Sequence, residues 1–175
     1  LGILANLHIT VTQLKDLGPT FSEYAGELKW LTTNPQRINA IADMIMGWAA
    51  SGNTLILVDR IQTGEMLAEL IPDSVFVSGE MKSKDRKTEY SSVKTLDDKV
   101  IIATYGVAST GINLPRIFNM VLIEPGKSFI RVIQSIGRGL RVTEDKDFVN
   151  VYDVCSSSKY SKRHLTERKK FYTSA

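Results

Sequence analysis

Cysteine, histidine and long apolar runs are all scarce in this chain. A single cysteine, Cys155, in 175 residues excludes an internal disulfide framework and fits a reducing compartment. With only His8 and His164 beside it, the ligand set of a structural zinc site is missing. No apolar run approaches the roughly 20 residues needed to span a bilayer, so no membrane partner is expected. The apolar start, residues 1–9, is short and lacks both a basic leading segment and a cleavage site, so it does not read as a signal peptide. The pattern G-x-x-x-x-G-K-[ST] occurs nowhere, which excludes a phosphate-cradling loop of that kind. Repeats and low-complexity segments are absent as well.

What is present is ordinary in amount and uneven in placement. Hydrophobic residues at 43% and charged residues at 23% are those of a water-soluble globular domain with a sizeable core. The net charge of +3 divides into +5 over residues 156–175, where six Lys/Arg face only Glu167, and −2 over the rest. The body is therefore not a basic nucleic-acid module. The end of the chain is either a phosphate-contacting element or a solvated terminus.

Along the chain, apolar β-branched runs alternate with helical periodicity. Loose alternation over residues 1–15 suggests an edge strand, and Gly18-Pro19 breaks the mixed stretch that follows. Asn34-Pro35 is a helix start, with Asn as N-cap and Pro at the first helical position. Ile38, Ile41, Ala42, Ile45, Trp48 and Ala49 then recur at helical spacing until Ser51-Gly52-Asn53. Strands are predicted over 54–58, 74–77, 100–104, 120–123 and 148–154. Helices are predicted from a cap at Asp59 to about Leu70, from Ser83 to about Leu96, and from Ser128 through residue 141. Strands separated by helices imply βαβ units and a parallel sheet, an α/β fold with helices on both faces. Trp30 and Trp48 read as packing residues. Lys82, Lys84, Arg86 and Lys87, interleaved with Asp85 and Glu89, read as a solvated helix face.

Two segments carry chemistry. Gln134-Ser135-Ile136-Gly137-Arg138-Gly139-Leu140-Arg141 places two arginines three apart, on one helix face if the segment is helical. Their guanidinium forks suit phosphate oxygens, and on spacing alone a solvated surface pair is an equal alternative. Upstream, the strand Val100-Ile101-Ile102-Ala103-Thr104 opens into the small-residue loop Tyr105-Gly106-Val107-Ala108-Ser109-Thr110-Gly111-Ile112-Asn113-Leu114-Pro115. Open α/β sheets bind ligands at the carboxyl ends of their strands, which is where this loop lies.

In order and spacing these segments resemble motifs V and VI of the superfamily 2 helicases. Gln134, Gly137, Arg138 and Arg141 match the Gln-x-x-Gly-Arg-x-x-Arg pattern. Thr54-Leu55-Ile56-Leu57-Val58-Asp59-Arg60 looks like motif IV, and Val75-Phe76-Val77-Ser78-Gly79 like the next strand and its turn. The resemblance covers roughly residues 35 to 155. It is strongest, within that superfamily, to the recombination helicases of T-even bacteriophages. It implies a RecA-like second motor domain, over 34–155, between an edge or linker segment, 1–33, and a basic tail or helix, 156–175. The family's phosphate loop and acidic box belong to an upstream RecA-like domain, so the chain reads as cut from a longer helicase that would hold ATP and Mg2+ mainly on that other domain. The chain alone is then expected to be inactive.

By the same resemblance, Arg138 and Arg141 supply positive charge to the transferred phosphoryl group, with Gln134 near the γ-phosphate or its attacking water. Gly111, Asn113 and Gly137 approach the nucleotide; Asn113 stands where many relatives have Asp. Thr104, Ser109, Thr110, Ser78 and Gly79 contact nucleic-acid phosphates, unless they serve ordinary turn and capping chemistry. The implied partner is DNA, in branched or junction form, and the implied location is the bacterial host cytoplasm. An RNA helicase or duplex-translocating remodeller shares the same motor motifs. A non-motor nucleotide-binding or interaction module is disfavoured, because Asp59-Arg60-Ile61-Gln62-Thr63-Gly64 lacks the Gly-rich loop it would need after its first strand.

Overall fold

A computed structural model describes residues 6–77, 99–109, 117–126, 133 and 148–174. Among the described residues six strands form one sheet: β1 (Asn6–Leu14), β2 (Thr54–Val58), β3 (Ser74–Val77), β4 (Val100–Thr104), β5 (Asn119–Ile123) and β6 (Phe148–Ser156). Their order is β1-β6-β5-β2-β4-β3, and every pairing is parallel. Parallel strands covered on both faces read as continuous apolar runs rather than alternating ones. The central strands β2 and β5 follow that rule, with all five residues of each buried.

Helices lie on both faces. On one face α2 (Pro35–Ala49) and α3 (Ile61–Leu70) pack Ile38, Ile41, Ile45 and Leu67 against Ile56, Val58, Ile102, Val121 and Ile123. On the other face the core is Leu55, Leu57, Ile101, Ala103, Met120 and Leu122, joined by Val107 and Ala108 of α4 (Tyr105–Ala108). Phe171 and Tyr172 of α5 (Lys159–Ser174) pack there too. Helix α1 (Tyr24–Thr33) abuts α2, α3 and α5.

Local chemistry explains several boundaries. Asn34 caps α2 as the sequence predicts, its Oδ1 accepting from the Arg37 N–H at 3.0 Å. The cap predicted at Asp59 is not made. Arg60 takes the N-cap position of α3 in an extended conformation, with no side-chain cap bond. Gly64, inside α3, lets the helix approach β3, where an added Cβ would sit 2.5 Å from the Phe76 ring. Residues 16–33, mixed in sequence, contain α1. Residues 105–108, read as loop, form the helical turn α4. Trp48 stacks on Tyr152 with ring centroids 4.1 Å apart, a packing role as expected. The helix predicted between Ser83 and Leu96, with its Lys/Arg cluster, lies outside the described residues, as does nearly all of the helix predicted from Ser128.

Candidate functional site

The direction in which the chain leaves each strand locates the site. After β2 it turns to the α2/α3 face; after the adjacent β4 it turns to the opposite face as α4. Neighbouring strands whose connections part to opposite faces leave a crevice at their carboxyl ends, the switch point at which open α/β sheets bind ligands. Val58 and Thr104 are register partners at that point, and Asp59-Arg60 and α4 are its first residues on either side.

Thr104 is half-buried at the end of β4 and caps α4. Its Oγ1 accepts from the Val107 N–H at 3.2 Å. The cap uses a lone pair, and among the described residues nothing accepts the hydroxyl proton, which remains a donor at the crevice. Ser109, at the other end of α4, is exposed, and its hydroxyl donates to the Gly106 carbonyl at 2.8 Å. Of the residues singled out from the sequence, these two lie in the described structure. Ser78, Gly79, Thr110, Gly111, Asn113, Gln134, Gly137, Arg138 and Arg141 lie outside the described residues. Two neighbours do not: Val77, before Ser78, and Ile133, before Gln134, are both buried in the core cluster that also holds Val107 and Ala108.

Arg60 was not singled out from the sequence as a site residue. Its guanidinium stands at the switch point, 3.7 Å from the Asp59 carboxylate, and its buried Nε has no partner among the described residues. A cation beside a strand end is a candidate anion contact. No local pattern distinguishes it from any other arginine.

Behind the crevice, two buried ionic clusters brace the turn after β5. Glu124 occupies left-handed backbone space, φ 44°, which few non-glycine residues adopt. Its carboxylate accepts from Arg37 Nη2 at 2.9 Å and from Ser161 Oγ at 2.8 Å. Burial pushes its pKa up to about 7, against the lowering effect of Arg37 and Ser161. Arg37 also donates through Nε to Asp16 at 3.0 Å and through Nη1 to the Leu31 carbonyl at 2.6 Å. Two residues on, Gly126, with φ 72°, offers its carbonyl to Arg168 Nη1 at 3.2 Å. Arg168 is bidentate to Asp153, at 2.7 and 2.9 Å, and the Tyr172 hydroxyl donates to the same carboxylate. Burial and the Asp153 charge hold the Tyr172 hydroxyl well above its ordinary pKa. Burial also pushes the Cys155 thiol up to about 12, so it carries no thiolate chemistry.

Among the described residues no group of three or more His, Cys, Asp or Glu is placed to hold a metal ion. None of the described helices is long and apolar enough to cross a membrane.

Comparison with known proteins agrees with this fold. The helicase conserved C-terminal domain family matches residues 36–143. The ATP-dependent DNA helicase uvsW of Enterobacteria phage T4 is 30% identical over 165 residues, covering 91% of this chain and 32% of that protein. Its crystal structure superposes with a TM-score of 0.79 at 26% identity, over 96% of this chain and 39% of that one. The C-terminal part of the Fun30 ATPase domain superposes with a TM-score of 0.63 at 16% identity, over 79% of this chain and 46% of that one, a likeness of fold. The chain thus spans about a third of the length of the T4 helicase that it matches.

Proposed function

Because this chain belongs to the helicase conserved C-terminal domain family, we propose that it works as the second of two RecA-like motor domains in an ATP-dependent DNA helicase or translocase. Its substrates are branched DNA: regressing forks, Holliday junctions and R-loops, met during recombination and replication restart in the host cytoplasm. The observation that carries the reading is the family match itself. It takes in the Thr104 crevice and the whole of residues 134–141.

The work of the domain is electrostatic. Phosphoryl transfer spreads negative charge over the transferred oxygens, and a positioned arginine is worth about 10³- to 10⁵-fold in rate. Arg138 and Arg141 supply that charge to ATP held on the upstream domain, and Gln134 hydrogen-bonds near the γ-phosphate or its attacking water. Gly111, Asn113 and Gly137 line the nucleotide side of the cleft. Mg2+ is held with the ATP phosphates mainly by the upstream domain. Arginines on one domain and ATP on the other make the site complete only when the cleft closes, and hydrolysis releases it, turning chemistry into movement. Thr104, Ser109, Thr110, Ser78 and Gly79 hold the track by its phosphates without reading sequence.

The test is the isolated chain. Residues 1–175, given ATP, Mg2+ and single-stranded, duplex or branched DNA, are expected to fold and to release no phosphate above background. Robust DNA-stimulated hydrolysis by this chain alone would overturn the two-domain reading.

A further inference from the structure

The end of the chain is a folded helix with two distinct faces. Ser161, Leu165 and Arg168 are buried, and Tyr172 joins them half-buried at the next helical repeat. They point at the sheet, where Arg168 gives its charge to Asp153. At the amino end, the Glu27 carboxylate accepts from the backbone N–H groups of Tyr160, at 3.1 Å, and Ser161, at 2.8 Å. Helix α5 is therefore fixed to the body along its length, and its outward face is a rigid surface.

That face is a stripe of cations. Lys159, Lys162, Arg163, Lys169 and Lys170 are exposed and recur at intervals of three, four and seven residues, the spacing of one helix face. Across the eleven residue steps from Lys159 to Lys170 the stripe runs about 16 Å. Among the described residues one acid answers it, Glu167, 3.3 Å from Lys170. Five cations against one acid leave +4 on this face, more than the net charge of the whole chain. Arg168, the sixth basic residue of the segment, contributes nothing outward.

The charges also stand where the helix disfavours them. Lys159 and Lys162 lie in the first turn and Arg163 just after it, at the positive end of the helix dipole. The first turn carries no acid and the last turn no base. A helix selected for its own stability has the opposite arrangement. The Glu27 carboxylate, accepting from the Tyr160 and Ser161 N–H groups, offsets part of that cost.

We infer that the outward face of α5 is a second nucleic-acid contact, a phosphodiester-backbone rail formed by Lys159, Lys162, Arg163, Lys169 and Lys170 and separate from the crevice at Thr104. The repeating charge of a nucleic-acid strand suits a rigid linear stripe. The aromatic ring beside the stripe, Tyr160, lies against Lys159 and Arg163, 5.1 and 5.6 Å from their charges. The choice of nucleic acid as the anion rests on the motor reading above. The surface itself does not depend on the arginines of residues 134–141.

The experiment compares two charge-matched variants of this chain. Lys162→Gln/Lys169→Gln removes two charges from the stripe. Gln36→Glu/Asn39→Asp shifts net charge equally from exposed positions of α2, on the other face of the sheet. Affinity for a fluorescent DNA duplex is measured by anisotropy across a potassium chloride series, beside sedimentation with vesicles containing phosphatidylserine. The expected result is a duplex affinity whose salt slope becomes shallower by about 1.8 in the α5 variant, roughly 0.9 per phosphate contact, and stays unchanged in the α2 variant. Equal slopes in the two variants, no duplex binding by the wild-type chain, or a loss confined to vesicles would each overturn the proposal. None of these outcomes bears on ATP hydrolysis by the parent, so this inference and the motor reading fail separately.

Discussion

Arg168 donates twice to the carboxylate of Asp153, fifteen residues earlier, with Nε 2.7 Å from Oδ2 and Nη2 2.9 Å from Oδ1. Both side chains are almost fully shielded from water. The pair joins α5 to β6, and through the Gly126 carbonyl to the turn after β5. The basic end of the chain is thus part of the domain. Cutting it off would strip the core as well as remove charge.

Breaking a buried pair from one side leaves an uncompensated charge, which costs roughly 3–5 kcal/mol. Arg168→Ala and Asp153→Ala are each expected to destabilise the chain by that amount. The double variant is expected to lose much less than the sum, because neither charge is then stranded. Urea unfolding of the four proteins in a double-mutant cycle measures the coupling. Single losses below about 1 kcal/mol, a surface pair's value, would contradict the clasp.

Glu124 makes stability depend on pH in a direction opposite to most carboxylates. Its folded pKa lies at about 7, above the ordinary value of 4.5, chiefly through burial. The folded state therefore holds a proton that the unfolded state has released between those values. Stability from this group is fully present below pH 4.5 and is lost as pH rises through 7. The displacement corresponds to roughly 3 kcal/mol. Urea midpoints at pH 5.5 and 8 are expected to fall with rising pH, and Glu124→Gln is expected to flatten that difference. An unaltered difference in the Gln variant would assign the dependence to other groups.

Thr104 has a structural duty beside its proposed role on the track. Thr104→Val removes the acceptor of the Val107 N–H, a cap worth about 1 kcal/mol, while keeping the shape of a β-branched strand end. In the full-length parent it is expected to lower DNA stimulation of ATP turnover more than DNA-free turnover. Thr104→Ser keeps the hydroxyl and is expected to keep both. Thermal melts beside DNA-stimulated ATPase separate the two effects, and a Val variant with normal stimulation would remove Thr104 from the track.

The parts of this fold legible in sequence are those that local physics determines. Residues 54–58, 74–77 and 100–104 are strands with the bounds the apolar runs suggest, because β2 and β4 are shielded on both faces and β3 lies on their edge. Asn34-Pro35 announces α2 because the cap and the fixed φ of proline act within one turn. Helix α1 was illegible: its buried Glu27 breaks the apolar pattern and is satisfied by N–H groups of Tyr160 and Ser161, more than 130 residues away. Arg37 and Glu124, 87 residues apart, were illegible for the same reason. The sequence marked Thr104 because a strand and a small-residue loop meet there. Arg60, Glu124 and the Asp153–Arg168 pair matter through tertiary neighbours, which no spacing rule reports. The basic segment at the end of the chain is a helix over residues 159–174, held by a buried arginine that no basic-run count distinguishes from its exposed neighbours.

The central claim is that residues 134–141 complete an ATP site shared between two domains. It is tested by steady-state ATP hydrolysis of the full-length parent carrying Arg138→Ala or Arg141→Ala, beside DNA affinity of the same proteins. The account predicts that either substitution removes most DNA-stimulated turnover, by about 10³-fold or more, and leaves DNA affinity largely unchanged; Arg→Lys is expected to fail as well, because Lys lacks the planar fork. Near-normal turnover in either alanine variant would contradict it.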